Sequence, residues 1–276
     1  MGWFEAVVLG IVQGLTEFLP ISSSAHLRIV ASAFGWDDPG AAFTAITQIG
    51  TEVAVLLYFR KDIARIVSAW VLSLAGKRKN DPDARMGWLI IIGSIPIVVL
   101  GLLLQDKIET TFRDLRIVAI ALVAFSLILL AADRLGSKKL ELDDLNVRDG
   151  VLFGLAQALA LIPGVSRSGG TITMGLFLGY SRAAAARYSF LLAIPAVLGS
   201  GLYQTYDALK GNLAGGTVDW GPTILATVLA FGVGLTVIAW LLRYLDRGSF
   251  TPFVVYRVVL GLLVLGLVGA GVLAPR

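Results

Sequence analysis

Five stretches of this chain, 86–105, 117–132, 188–206, 220–242 and 258–275, contain no charged residue. Each is close to the ~20 residues that a helix needs to cross a hydrocarbon core about 30 Å thick. Buried helices of a large soluble protein would need a polar shell around them. Only 15% of the 276 residues are charged and 57% are hydrophobic, so too little polar surface exists to provide one. The expected class is an all-α polytopic membrane protein.

Charge and cysteine content narrow the function classes. Lys and Arg number 23 against 19 Asp and Glu. The basic excess is confined to particular loops, as the positive-inside rule produces, and implies no nucleic-acid partner. The absence of cysteine excludes disulfides, thiolate catalysis and thiolate-bound metals. The segment Met1-Gly2-Trp3-Phe4-Glu5 lacks a basic start and a small-residue cleavage site, and is not expected to be a removable signal peptide.

Two apolar segments are too short to be ordinary spans. Residues 4–19 run into Pro20-Ile21-Ser22-Ser23-Ser24, followed by a short stretch to Phe34. Residues 150–162 run into Pro163-Gly164-Val165-Ser166-Arg167-Ser168-Gly169-Gly170, followed by one to Leu178. At about 1.5 Å per residue such pieces reach little more than half-way across a bilayer, so each is read as a re-entrant hairpin or broken helix. Polar backbone at that depth must be buried in protein or line a wet cavity.

The two segments also resemble each other. Gly10-x-x-Gln13 matches Gly154-x-x-Gln157 at a shift of 144, and a one-residue gap then places Leu19-Pro20 on Ile162-Pro163 and Ser23 on Ser166. Three long apolar segments follow each: 41–59, 88–104 and 116–132, then 187–206, 222–242 and 253–273. The reading is a single membrane domain, 1–276, made of repeats at about 1–135 and 148–276. Loop 60–85 carries seven Lys/Arg and 133–148 four, whereas 105–116 and 207–219 carry three and one. With 60–85, 133–149 and 243–252 cytoplasmic, both termini lie outside. An odd number of crossings per repeat then inverts one half relative to the other, with the first hairpin opening outward and the second inward. Residues 62–75 form an amphipathic helix with Ile63, Ile66, Val67, Trp70, Val71 and Leu74 on one face.

Reactive side chains concentrate in the hairpins. Gln13 and Glu17 are four apart and share a helix face; Ser22, Ser23, Ser24 and the chain's single histidine, His26, follow the break. An ionised carboxylate in an apolar segment demands a partner, a metal or a proton-transfer role. In the second hairpin Ser166, Arg167, Ser168 and Thr171 surround a glycine turn. Exposed N–H groups and a guanidinium fork are the parts of an anion cradle, although an arginine that simply pairs with Glu17 is a compatible alternative. Glu52, inside 41–59, either lines the same cavity or pairs with a neighbouring helix. Asp37 and Ser181 are expected to cap the helices that follow them.

The run Gln13-Gly14-Leu15-Thr16-Glu17-Phe18-Leu19-Pro20-Ile21-Ser22-Ser23-Ser24-Ala25-His26, together with Pro163-Gly164-Val165-Ser166-Arg167-Ser168-Gly169-Gly170-Thr171, resembles the two signature motifs of the undecaprenyl-diphosphate phosphatase, or bacitracin-resistance, family. The resemblance extends over essentially the whole chain, including Ser-Phe-Leu-Leu-Ala-Ile-Pro at 189–195. It implies a bacterial inner-membrane enzyme that removes the terminal phosphate of a C55 isoprenoid diphosphate, recycles the lipid carrier of cell-wall precursors and uses a divalent cation. The family has Glu or Gln at the first acidic position; here it is Gln13. Transferred to these positions, Glu17 with Gln13 would hold Mg²⁺ or Ca²⁺, which prefer oxygen ligands. Arg167, Ser166, Ser168, Thr171 and Ser22 would hold phosphate. Ser23 would be the nucleophile with His26 as base and then acid, direct attack by metal-activated water being the other route. The rival class is a lipid-phosphate flippase, which needs the phosphate cradle but no nucleophile and base. Besides substrate and membrane lipids, the sequence leaves room for a homodimer without fixing the oligomeric state.

Overall fold

The computed structural model of the protein describes residues 1–77, 80–211 and 218–275. Among them no strand occurs beyond an isolated bridge between Leu140 and Tyr180. Six helices among the described residues are long and apolar enough to cross a membrane: α3 (Gly40–Tyr58), α5 (Pro82–Leu103), α7 (Leu115–Leu135), α10 (Arg182–Lys210), α11 (Trp220–Leu245) and α12 (Thr251–Gly269). Before and between them lie α1 (Trp3–Thr16), α2 (Ser23–Ala33), α4 (Arg60–Leu74), α6 (Gln105–Glu109), α8 (Val147–Ala158) and α9 (Arg167–Leu178). The short pairs α1–α2 and α8–α9 are the broken helices expected from the two proline-containing breaks.

Local chemistry sets the ends. Asp81, Asp114, Asn146 and Ser181 each accept a backbone N–H from the first turn of α5, α7, α8 and α10. Ser181 caps as expected; Asp37 does not. Its neighbour Asp38 accepts from Gly40 N at 3.0 Å, because Pro39 lies between Asp37 and the helix and moves the turn one residue on. On α4 the apolar face is divided: Ile66 is buried, while Val67, Val71 and Leu74 point outward.

The backbone also changes how the two hairpins align. Ser22 and Ser166 precede α2 and α9 with φ of 74° and 71°, and Gly35 and Gly179 follow those helices at φ of 67° and 98°. Both pairs lie 144 apart, the shift of Gly10 and Gly154, so no gap is required. Ser22, not Ser23, falls on Ser166, and Ser23 falls on Arg167. The matched prolines had suggested a gap, but the backbone turn follows the serines.

Each hairpin packs against the other half: α1 on α11, and α8 on α5. Close backbone approach makes this possible. A Cβ on Gly10 would lie 2.6 Å from Ala226 O, and one on Gly154 would overlap Gly93 O. Contacts also gather the loops at two ends of the bundle. At one end Arg187 pairs with Asp62 at 2.9 Å, Arg182 with Asp133 at 2.6 Å, and Arg85 donates to Asp143 O at 2.7 Å. At the other, Arg113 forks onto Asp38, Phe4 meets Trp36, and Leu115 N donates to Pro275 O at 2.9 Å. Burial raises the Asp38 pKa, but the Arg113 hydrogen bonds and charge, with smaller help from Gly40 N and Arg28, outweigh it and leave the carboxyl below its ordinary range.

Candidate active site

The tips of the two broken helices meet inside the bundle. Gly164 N donates to Ser22 Oγ at 3.1 Å, and Ser168 Oγ donates to the Leu19 carbonyl at 3.1 Å. Arg257 of α12, with no exposed surface, joins the tips from below: Nη1 donates to Pro20 O at 2.8 Å, and Nη2 to Gly164 O at 2.7 Å and Val165 O at 3.1 Å. These carbonyls lie in non-helical backbone, where each needs a donor that neither helix provides. Left-handed φ at Ser22 and Ser166, which costs a non-glycine residue of order 1–3 kcal/mol, is held by the same contacts.

Glu17 sits just past the end of α1 and is the hub of the polar cluster. Its Oε2 accepts from Ser23 Oγ at 2.6 Å, Gln13 Nε2 at 2.7 Å and Gln48 Nε2 at 3.5 Å; its Oε1 accepts from Arg167 Nη2 at 2.7 Å. Four helices, α1, α2, α3 and α9, thus converge on one carboxylate whose side chain is 3% exposed. Arg167 Nη1 points past Glu17 towards Glu52 Oε2, 3.9 Å away, and makes no hydrogen bond.

The expected base is elsewhere. A carbonyl only accepts, so His26 Nδ1 carries a proton and donates it to Ser22 O at 2.7 Å, and Nε2 is hydrogen-bonded with Tyr256 Oη at 2.8 Å. Both ring nitrogens are engaged away from Ser23, whose partner is Glu17. The expected phosphate ligands also divide. Ser166 caps α9 by accepting from Gly169 N at 3.1 Å, and Thr171 is fully buried and bonded to Arg167 O and Ser189. Ser168 and Ser22 are joined to the opposite tip. Arg167 keeps a free N–H. In contrast to α9, α2 has no side-chain cap, so the first-turn N–H groups beside Ser23 and the positive end of that helix are available to an anion.

Sequence reasoning missed Arg257 and Tyr256. The signal was present: Arg257 is the one charged residue within 253–273. Glu52, left open between two readings, lies in the cluster, with 1% of its surface exposed.

A hard divalent cation needs oxygen donors. Gln13 Oε1 and Glu52 Oε1 are both buried without a hydrogen-bond partner, close to Glu17, and all three are oxygen ligands of the right hardness. Among the described residues no group of three or more His, Cys, Asp or Glu is placed to hold a metal by itself. These few oxygens suit a hard cation such as Mg²⁺ in kind, and would leave the rest of its shell to substrate or water oxygens.

The family model described as "Bacitracin resistance protein BacA" matches residues 6–263. "Undecaprenyl-diphosphatase 2" of Streptomyces coelicolor is 59% identical over 289 residues, covering 100% of this chain and 98% of its own. "Undecaprenyl-diphosphatase" of Kineococcus radiotolerans is 62% identical over 274 residues (99% and 96%), and that of Micrococcus luteus 59% over 276 (99% and 100%). With one family matched from α1 to α12 and such identity over whole chains, the protein belongs to the bacitracin resistance protein BacA family.

Proposed function

We propose that the protein hydrolyses undecaprenyl diphosphate to undecaprenyl phosphate and inorganic phosphate, recycling the lipid carrier of cell-wall synthesis in a bacterial inner membrane. The observation that carries this reading is the 2.6 Å contact of Ser23 Oγ with Glu17 Oε2, made at the uncapped start of α2. A flippase requires a grip on phosphate but no hydroxyl paired with a base.

The chemistry follows from those neighbours. The isoprenoid tail stays in lipid while the diphosphate reaches the hairpin tips. Arg167 Nη1 and the first N–H groups of α2 take phosphate oxygens and offset the charge that spreads over them in the transition state. Ser23 Oγ gives its proton to Glu17 and bonds to the terminal phosphorus. The bond to the bridging oxygen breaks, and undecaprenyl phosphate leaves with that electron pair. Water then attacks phosphoserine; Glu17 returns its proton to Ser23 Oγ, and the water proton leaves with inorganic phosphate. Gln13, Gln48 and Arg167 hold Glu17 in place for both transfers, and His26 fixes the Ser22 turn through its carbonyl. A divalent cation, held by Glu17 and Gln13 when bound, supplies further neutralisation of phosphate charge.

The halves act as inverted-topology repeats, with the basic loop end cytoplasmic and the active hairpin opening to the outer side. Support comes from the exchange of partners, α1 with α11 and α8 with α5, and from the two groups of loops at opposite ends. Only the first hairpin carries an acid beside its tip: 144 residues on from Glu17 stands Leu161. One site per chain results, built from the acid and serine of one hairpin and the arginine of the other. Phosphate release from the C55 diphosphate by purified protein in detergent, with Mg²⁺ present, tests the activity. Absence of release would contradict it.

A further inference from the structure

Glu52 comes from α3, outside both hairpins, and its surroundings differ from those of a structural ion pair. Arg167 closes on Glu17 at 2.7 Å but stands 3.9 Å from Glu52. Atoms on both sides are left in need of partners: Arg167 Nη1, and Glu52 Oε1 beside the Oε2 that faces it, are buried and bonded to nothing. Unsatisfied groups of opposite kind, at that depth, are costly unless something else joins them. A guanidinium N–H needs an acceptor and a carboxylate needs a cation or a donor. A phosphate oxygen bound to a divalent cation meets both needs at once.

The register supports the same conclusion. Gln48 and Glu52 are four apart on α3, just as Gln13 and Glu17 are on α1, and Gln48 Nε2 reaches Glu17 Oε2 at 3.5 Å. Two Gln-x-x-x-Glu faces thus converge, each with an orphaned oxygen, Gln13 Oε1 and Glu52 Oε1.

We propose that Glu52 is the second carboxylate of the divalent-cation site, supplied from α3 where the hairpin itself offers the neutral Gln13. The proposal rests on the cation reading given above for Glu17 and Gln13. Its test is binding of Mn²⁺ alone, by electron paramagnetic resonance titration of the detergent-purified full chain without substrate. Wild type is expected to bind Mn²⁺, and Glu52→Gln, isosteric and uncharged, to weaken that binding about 10-fold or more. Glu17→Gln is titrated in parallel. Unchanged affinity in Glu52→Gln beside a loss in Glu17→Gln would overturn the role of Glu52 and leave the Glu17 site standing. No Mn²⁺ binding by wild type would overturn both. Should Glu52→Gln fail to elute as a folded species, Glu52→Asp takes its place: the shorter arm is expected to lower affinity, and wild-type affinity there would reject the assignment.

Discussion

Replacing Arg257 by Met removes the donor that ties the two tips together while keeping most of the side-chain volume. Three hydrogen bonds run from its guanidinium to Pro20, Gly164 and Val165 carbonyls. At about 1.5–3 kcal/mol for a bond to a charged group, the gross loss is roughly 5–9 kcal/mol. Burying a guanidinium costs several kcal/mol in return, so the net destabilisation is about 2–4 kcal/mol. The effect on rate is larger in proportion, because Ser23 and Arg167 each begin the helix that follows one of these tips. A displacement of about 1 Å costs on the order of 100-fold. Phosphate release under saturating substrate is expected to fall by that factor, and tryptophan fluorescence to report a lower unfolding temperature. Arg257→Lys should recover only part of both, since one ammonium cannot reach carbonyls served by two diverging nitrogens. Wild-type turnover with an unchanged unfolding midpoint in Arg257→Met would refute the reasoning.

Three further outcomes are expected. Arg167→Lys keeps the charge but loses the fork that pairs with Glu17 and, in the proposed mechanism, with phosphate, and should lose most activity in the phosphate-release assay; near-wild-type turnover would leave a requirement for charge alone. Cysteines placed singly at Lys77 and Lys138 should resist membrane-impermeant thiol reagents in intact cells, whereas rapid labelling at both would reverse the orientation. Gly154→Ala, whose Cβ would overlap Gly93 O, should destabilise by about 1–3 kcal/mol in thermal unfolding. Gly232→Ala, inside α11 with nothing within 4 Å of the added Cβ, is the control and should leave stability unchanged or raise it by up to about 1 kcal/mol.

The spans and the broken helices were legible because each depends on a local quantity. Long uncharged runs specify α5, α7, α10, α11 and α12, and the Pro20 and Pro163 breaks locate the turns that precede Ser23 and Arg167. Helix ends ran beyond the apolar runs where charged residues extend a helix past the hydrocarbon, as at Arg182 and Arg187 in α10. The pairing of Glu17 with Arg167 was open to view as one of two compatible roles. What sequence spacing could not provide is direction. Ser23 and His26 sit three apart, a spacing that permits contact, yet the left-handed Ser22 turns the Ser23 hydroxyl back to Glu17 and leaves His26 on the Ser22 carbonyl and Tyr256. Thr171 belonged to the right motif but lies on the side of α9 that packs against Ser189. Arg257 and Glu52 reach the tips from helices distant in sequence, and only the assembled bundle shows where they point.

In the proposed mechanism Ser23, relieved of its proton by Glu17, becomes the phosphoryl acceptor. Rapid acid quench of purified protein with C55 diphosphate labelled in the terminal phosphate, followed by peptide mapping, measures this directly. The label is expected to appear transiently on the peptide containing Ser23, and to vanish together with turnover in Ser23→Ala. Cation-dependent phosphate release by Ser23→Ala at a substantial fraction of the wild-type rate, with no labelled peptide in either protein, would contradict it and leave direct attack by water.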